Sequence, residues 1–175
     1  AEMRVALELD PLSLVVQSGV GRILHFARRF DEAIAQYEHV LATNPSFGQA
    51  HLDLALTRLA TGDVAAARAC LDRAEQLTGR VSTIMVVRGV CAARDGQVDE
   101  ARSILAELQS WSARSDAGVG DMACLAAALD DWSLALPWLR EACTLRAPFI
   151  AYVDVEPALT PLLVHPESRA LLQPY

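Results

Sequence analysis

A period of 34 residues constrains this chain more than any other feature. Ala33, Ala67, Ala101 and Ala135 are spaced by it without an insertion, and Gly21, Ala55, Gly89 and Ala123 keep the same step. Three residues before each alanine of the first series stands a bulky apolar group: Phe30, Val64, Val98 and Trp132. Four residues after it stands another: Tyr37, Leu71, Leu105 and Leu139. Columns in phase mean one small unit repeated, too small to bury its apolar face alone and so obliged to stack on its neighbours.

The unit reads as two antiparallel helices. Small residues at Gly21, Ala55, Gly89 and Ala123 lie on the first helix, and Ala33, Ala67, Ala101 and Ala135 lie on the second. Where helices cross at roughly 8–10 Å, small side chains let the backbones approach. The bulky columns at −3 and +4 share a helical face with each alanine and are expected to fill the space beside the crossing. Gly62 and Gly96 mark the break between the helices of the second and third units, and Pro45 closes the first. Asp31, Asp63 and Asp99 stand where an acid suits a helix N-terminus. The expected fold class is all-α.

Composition narrows the function. Hydrophobic residues make up 53% of 175 positions, enough for a packed core and too many for a disordered chain. Fifteen basic residues stand against 22 acidic ones, a net charge of −7, which argues against direct nucleic-acid binding. Every basic residue is arginine, so Schiff-base and P-loop lysine chemistry has no residue to use. No apolar run is long enough to cross a membrane. Cys70, Cys91, Cys124 and Cys143 form no closely spaced pair, so they read as small buried hydrophobes in a reducing cytoplasm rather than metal ligands. The chain opens on Ala1 with no secretion signal and is expected to come from within a larger soluble protein.

The four columns resemble the tetratricopeptide repeat (TPR), with units at 14–47, 48–81, 82–115 and 116–149. The family's tryptophan near the start of the first helix is replaced by Gln17, His51, Met85 and Val119, and its later tyrosine by Leu24, Arg58, Ala92 and Ala126. The resemblance implies a right-handed α-solenoid of about four TPR helix hairpins. Residues 1–11 look like the end of a preceding repeat helix. Residues 150–175 are expected to form a helical C-terminal cap, with Phe149, Ile150, Tyr152, Leu159, Leu162, Leu171 and Leu172 covering the last hairpin. Glu156-Pro157 and His165-Pro166-Glu167-Ser168-Arg169 loosely resemble the tail of TPR arrays that end bacterial multidomain signalling and regulatory proteins. That likeness implies a cytoplasmic setting.

No catalytic constellation is present in the sequence. His25, His39, His51 and His165 form no ligand pair on one helical turn. The Gly19-Val20-Gly21 stretch lacks the preceding strand of a phosphate loop, and Gly21 has a packing role already. Asp130-Asp131 and Asp99-Glu100 read as helix starts. The chain is therefore expected to be no enzyme and to carry no metal or cofactor.

What remains is a surface. In TPR proteins the first helices line a concave face, and by phase its inward positions here are Arg22, His25, Gln49, Leu52, Leu56, Leu59, Thr83, Val86, Val90 and Arg94. The lysines with which chaperone-binding relatives clamp a terminal carboxylate are missing. Leucine and valine with flanking arginine suit an apolar helix or extended segment of a protein partner. Two alternatives stand beside this: a homodimer through an exposed end near residues 12–27, and a small-ligand sensor. The same leucines could instead be covered by neighbouring helices or by the chain's own tail.

Overall fold

The computed structural model describes residues 10, 13–112 and 118–173; the expected helix end at 1–11 lies, except for Asp10, outside them. Among the described residues there are ten α-helices, two short 3-10 turns and no strand. The chain divides into two compact units, Ala1–Gly79 and Arg80–Tyr175.

In the first unit, α1 (Leu14–Phe26) and α2 (Phe30–Thr43) form one hairpin, and α3 (Gly48–Ala60) and α4 (Val64–Thr78) form the next. Side-chain oxygens start two of these helices: Ser13 accepts from the Val16 amide at 3.4 Å and Asp63 from the Ala66 amide at 3.1 Å. Helix α3 packs on both α1 and α2, so the second hairpin is seated on the first. Ala33, Tyr37 and Leu54 form the centre of that seat, flanked by Leu24, Ile34, Leu41 and Cys70. Gly21 makes it possible: a Cβ there would stand 2.6 Å from the Tyr37 ring. Gly21 and Tyr37 are thus two halves of one contact within the first hairpin.

In the second unit, α5 (Ser82–Arg94) pairs with α6 (Val98–Ser112) and α7 (Val119–Ala128) with α8 (Trp132–Thr144). Helix α7 again packs on both members of the preceding hairpin. Gly89 admits a neighbour here too, but the neighbour is Leu125 of α7 rather than the mate of α5, since a Cβ on it would lie 2.6 Å from the leucine. The tail continues as 3-10 turns Pro148–Tyr152 and Pro157–Leu159, then α9 (Thr160–Val164) and α10 (Pro166–Leu172). Helix α9 packs on α7 and α10 on α8. Ile150 and Leu159 of the 3-10 turns, Leu162 of α9 and Leu172 of α10 are buried, whereas Tyr152 faces solvent. His165 stacks on Trp132 with ring centroids 4.2 Å apart, and an Arg140–Glu167 ion pair ties α10 to α8. Pro137 stands inside α8 and has no N–H for the preceding turn, a site the repeat pattern did not flag.

Both alanine columns are buried: Ala33, Ala67, Ala101 and Ala135 on second helices, Ala55 and Ala123 on first ones. The +4 column is buried with them. The −3 column differs from expectation. Phe30, Val64, Val98 and Trp132 are the first residues of their helices, at the rim of each hairpin, and Val98 is 41% exposed. Sharing a face with the alanine does not bury a residue when the partner helix has already ended there. The fold class is all-α, helix hairpins of the α-solenoid kind.

The period is also written in the backbone. Arg28, Gly62, Gly96 and Asp130 all take positive φ, between 58° and 84°, at the residue that ends each first helix. Each donates its N–H three residues back while the next residue donates five back, to His25 and Leu24, Leu59 and Arg58, Ala93 and Ala92, Ala127 and Ala126, at 2.8–3.1 Å. This is the Schellman pattern, and it satisfies carbonyls that a helix end leaves open. Glycine adopts it without strain at 62 and 96; arginine and aspartate do not. Arg28→Gly is expected to raise stability by about 0.5–1 kcal/mol, and Gly62→Ala to lower it by about 1 kcal/mol, in urea denaturation.

Candidate protein-binding face

In the first unit the inward faces of α1 and α3 meet through a polar knot. Helical spacing aligns Ser18, Arg22 and His25 on α1, and Gln49, Asp53 and Thr57 on α3. Asp53 is only 5% exposed, yet both its oxygens are satisfied. Oδ2 accepts from Arg22 Nη2 at 3.0 Å and Ser18 Oγ at 3.3 Å; Oδ1 accepts from Gln49 Nε2 at 2.9 Å. One helical turn on, the Thr57 hydroxyl donates to the Asp53 carbonyl at 2.9 Å and stands 3.0 Å from His25 Nδ1. The hydroxyl has one proton and spends it on that carbonyl, so the proton of the second bond sits on Nδ1 and His25 donates. A buried carboxylate without partners would be expelled or neutralised; here the cation and two neutral donors hold it in place.

This arrangement sorts the residues expected on the inward face. His25 and Leu59 are buried, at 3% and 1% exposure, and hold the helices together. Leu52 is buried as well. Arg22 and Gln49 are exposed, and Leu56 is half-buried. Beside them on α1, Val15 is 70% exposed and Ile23 is exposed too. His51, at the family's tryptophan position, bonds through Nε2 to the Pro45 carbonyl at 3.0 Å, and His39 is exposed.

In the second unit Thr83 and Arg94 are exposed, while Val86 and Val90 are buried. On α7 the corresponding positions Gly120, Cys124 and Ala127 are buried. The Phe149 ring occupies the place a Cβ on Gly120 would take. Burial pushes the Cys124 thiol far up, and the Asp121 and Glu156 carboxylates push the same way. Asp121 is itself raised by burial, against a hydrogen bond from Ser82. Cys124 is therefore a protonated, inert thiol. Among the described residues no three His, Cys, Asp or Glu side chains come together as metal ligands, and no helix is long and apolar enough to cross a membrane.

Residues 27–78, from the turn after α1 through α4, match the family model for the tetratricopeptide repeat. This stretch of the chain is similar to the tetratricopeptide repeat. Among solved structures it is similar to a tetratricopeptide repeat protein from Parabacteroides merdae, with a TM-score of 0.67 at 15% identity, over 98% of this chain and 74% of that one. At that identity the likeness carries the fold alone. No curated protein matches the chain in sequence. The TPR fold commonly serves as a protein-interaction scaffold and is typically non-enzymatic.

By phase Ser18 belongs with Val15, Arg22 and His25 on the inward side of the first unit, whereas Asp53 and Thr57 escaped the repeat reading, which followed apolar columns. Their signal was present: Gln49, Asp53 and Thr57 put three polar residues at successive i, i+4 steps on an otherwise apolar helix. Removing the carboxylate takes away the acceptor shared by three donors and leaves the buried Ser18 hydroxyl without it, which should cost more than removing Arg22, one exposed donor of the three. Asp53→Ala is expected to lower unfolding free energy by about 1–3 kcal/mol. Arg22→Ala should lower it by less than about 1 kcal/mol, both read from urea denaturation.

Proposed function

We propose that this chain is a non-catalytic tetratricopeptide repeat scaffold whose first unit binds an apolar segment of a protein partner on the inward face of α1 and α3. One observation carries the reading: Val15, Arg22, Gln49 and Leu56 reach solvent around a fully bonded Asp53. Such a face offers apolar contact and polar rim on a rigid support, which suits a helical or extended segment. The units at 14–47, 48–81, 82–115 and 116–149, with a cap at 150–175, are the repeat division on which this reading is built. In the second unit, Thr83 and Arg94 are the inward positions open to a partner. The bacterial, cytoplasmic signalling or regulatory setting is supported by the resemblance of the tail alone.

Val15 and Ile23, both apolar and exposed on α1, favour a second reading in which two copies associate through that helix. Light scattering over a range of concentrations should then show a dimer that Val15→Asp with Ile23→Asp abolishes; a monomer throughout rejects it. For the principal reading, panning a displayed peptide library against the chain should enrich segments with spaced apolar residues. Leu56→Asp should lose them with helical circular dichroism unchanged, while Val164→Asp in the second unit should keep them. Equal binding by Leu56→Asp would overturn the proposal.

A further inference from the structure

Four inward residues of the first unit stand at the corners of a rectangle. Val15 on α1 and Gln49 on α3 are one repeat apart, and so are Arg22 and Leu56, two helical turns further along the same helices. The bonds from Ser18 and Arg22 to Asp53 and from His25 to Thr57 join residues 31 to 35 positions apart, so α1 and α3 lie side by side in that register. Val15, Arg22 and Gln49 are exposed and Leu56 is half-buried. The polar corners, Gln49 and Arg22, occupy one diagonal with Asp53 between them; the apolar corners, Val15 and Leu56, occupy the other.

Asp53 fixes what the polar corners offer. A carboxylate only accepts, so the Gln49 amide at its Oδ1 must present Nε2, at 2.9 Å, and cannot turn over without losing that bond. This leaves Oε1, on an exposed side chain, as an acceptor with no donor among the described residues. Across the carboxylate, Arg22 Nη2 is bound to Oδ2 at 3.0 Å while 47% of the arginine side chain stays in solvent. An acceptor and a donor are thereby set on opposite sides of the path from Val15 to Leu56. With helices about 8–10 Å apart, that path is roughly 14 Å long.

Such a path discriminates between backbones. In an extended segment, residues four apart span it at about 3.3 Å each and put their side chains on the same side. The trans peptide group between them points its N–H one way and its C=O the other, across the chain. A helix needs about nine residues for the same distance, and its peptide groups are already bonded to one another. We propose that Gln49 and Arg22 make the first-unit face specific for an extended partner segment, Gln49 Oε1 accepting the N–H of one peptide group and the Arg22 guanidinium donating to its C=O, with apolar side chains four residues apart resting on Val15 and Leu56. This specificity presupposes the binding role proposed for the first unit and adds to it the partner's conformation and spacing.

Peptides enriched on the full chain and lost by Leu56→Asp are resynthesised with a methyl group on each backbone nitrogen in turn, and affinity is read by fluorescence polarisation. Methylation of one amide between the two apolar anchors, and of that amide alone, is expected to weaken binding about tenfold. Gln49→Leu, with helical circular dichroism unchanged, should weaken the unmodified peptide by a similar factor and make it indifferent to that methyl group. The scan on the unaltered chain decides the matter even where this variant fails to fold. Three results overturn the proposal: weakening at every interior amide, the mark of a bound helix; tolerance of all of them; or a methyl effect that persists undiminished in Gln49→Leu. In each of these the first-unit face still binds a partner segment, whereas failure to enrich any Leu56-dependent peptide removes that role as well.

Discussion

Each hairpin depends on a helix that stops and a chain that turns at once toward the next. Two backbone bonds accomplish this, and they form only if one residue takes a left-handed conformation. At Gly62 and Gly96 that conformation is free of strain. With the turn fixed, only three residues separate the end of the first helix from the start of the second, and the pair must lie close enough that only small residues fit between them. The burial of Ala33, Ala67, Ala101 and Ala135 is a consequence of that geometry.

Much of this was legible because the repeat multiplies a weak signal. A single alanine three residues after a bulky group says little; four in phase fix the helices, their pairing and which side of each is buried. The repeat was less informative where position along the helix mattered more than face. Val98 shares a face with Ala101 and is still exposed, because it begins the helix. Arg28 and Asp130 occupy the turn position marked by glycine in the middle units, and their conformation could be inferred only by aligning them with Gly62 and Gly96.

The inward face was legible in phase and not in accessibility. His25 and Leu59 occupy inward positions yet serve the contact between α1 and α3, because a knot of five side chains around Asp53 draws those helices together. Apolar periodicity cannot show this, since it depends on a polar residue finding donors more than thirty positions away: Ser18 and Arg22 for Asp53, His25 for Thr57. On α7 the same phase is hidden for another reason. The chain covers it with its own aromatic ring, and only the absence of a side chain at Gly120 leaves room for that ring.

Of the turns that join the two helices of a hairpin, those at Arg28 and Asp130 are strained and those at Gly62 and Gly96 relaxed, and Arg146 after α8 is strained as well. Strain at a turn lowers the cost of opening it, so in the first unit opening is cheaper at the Arg28 turn than at Gly62, and in the second cheaper at Asp130 than at Gly96. Rigidity is thereby distributed unevenly along a chain whose units otherwise look alike.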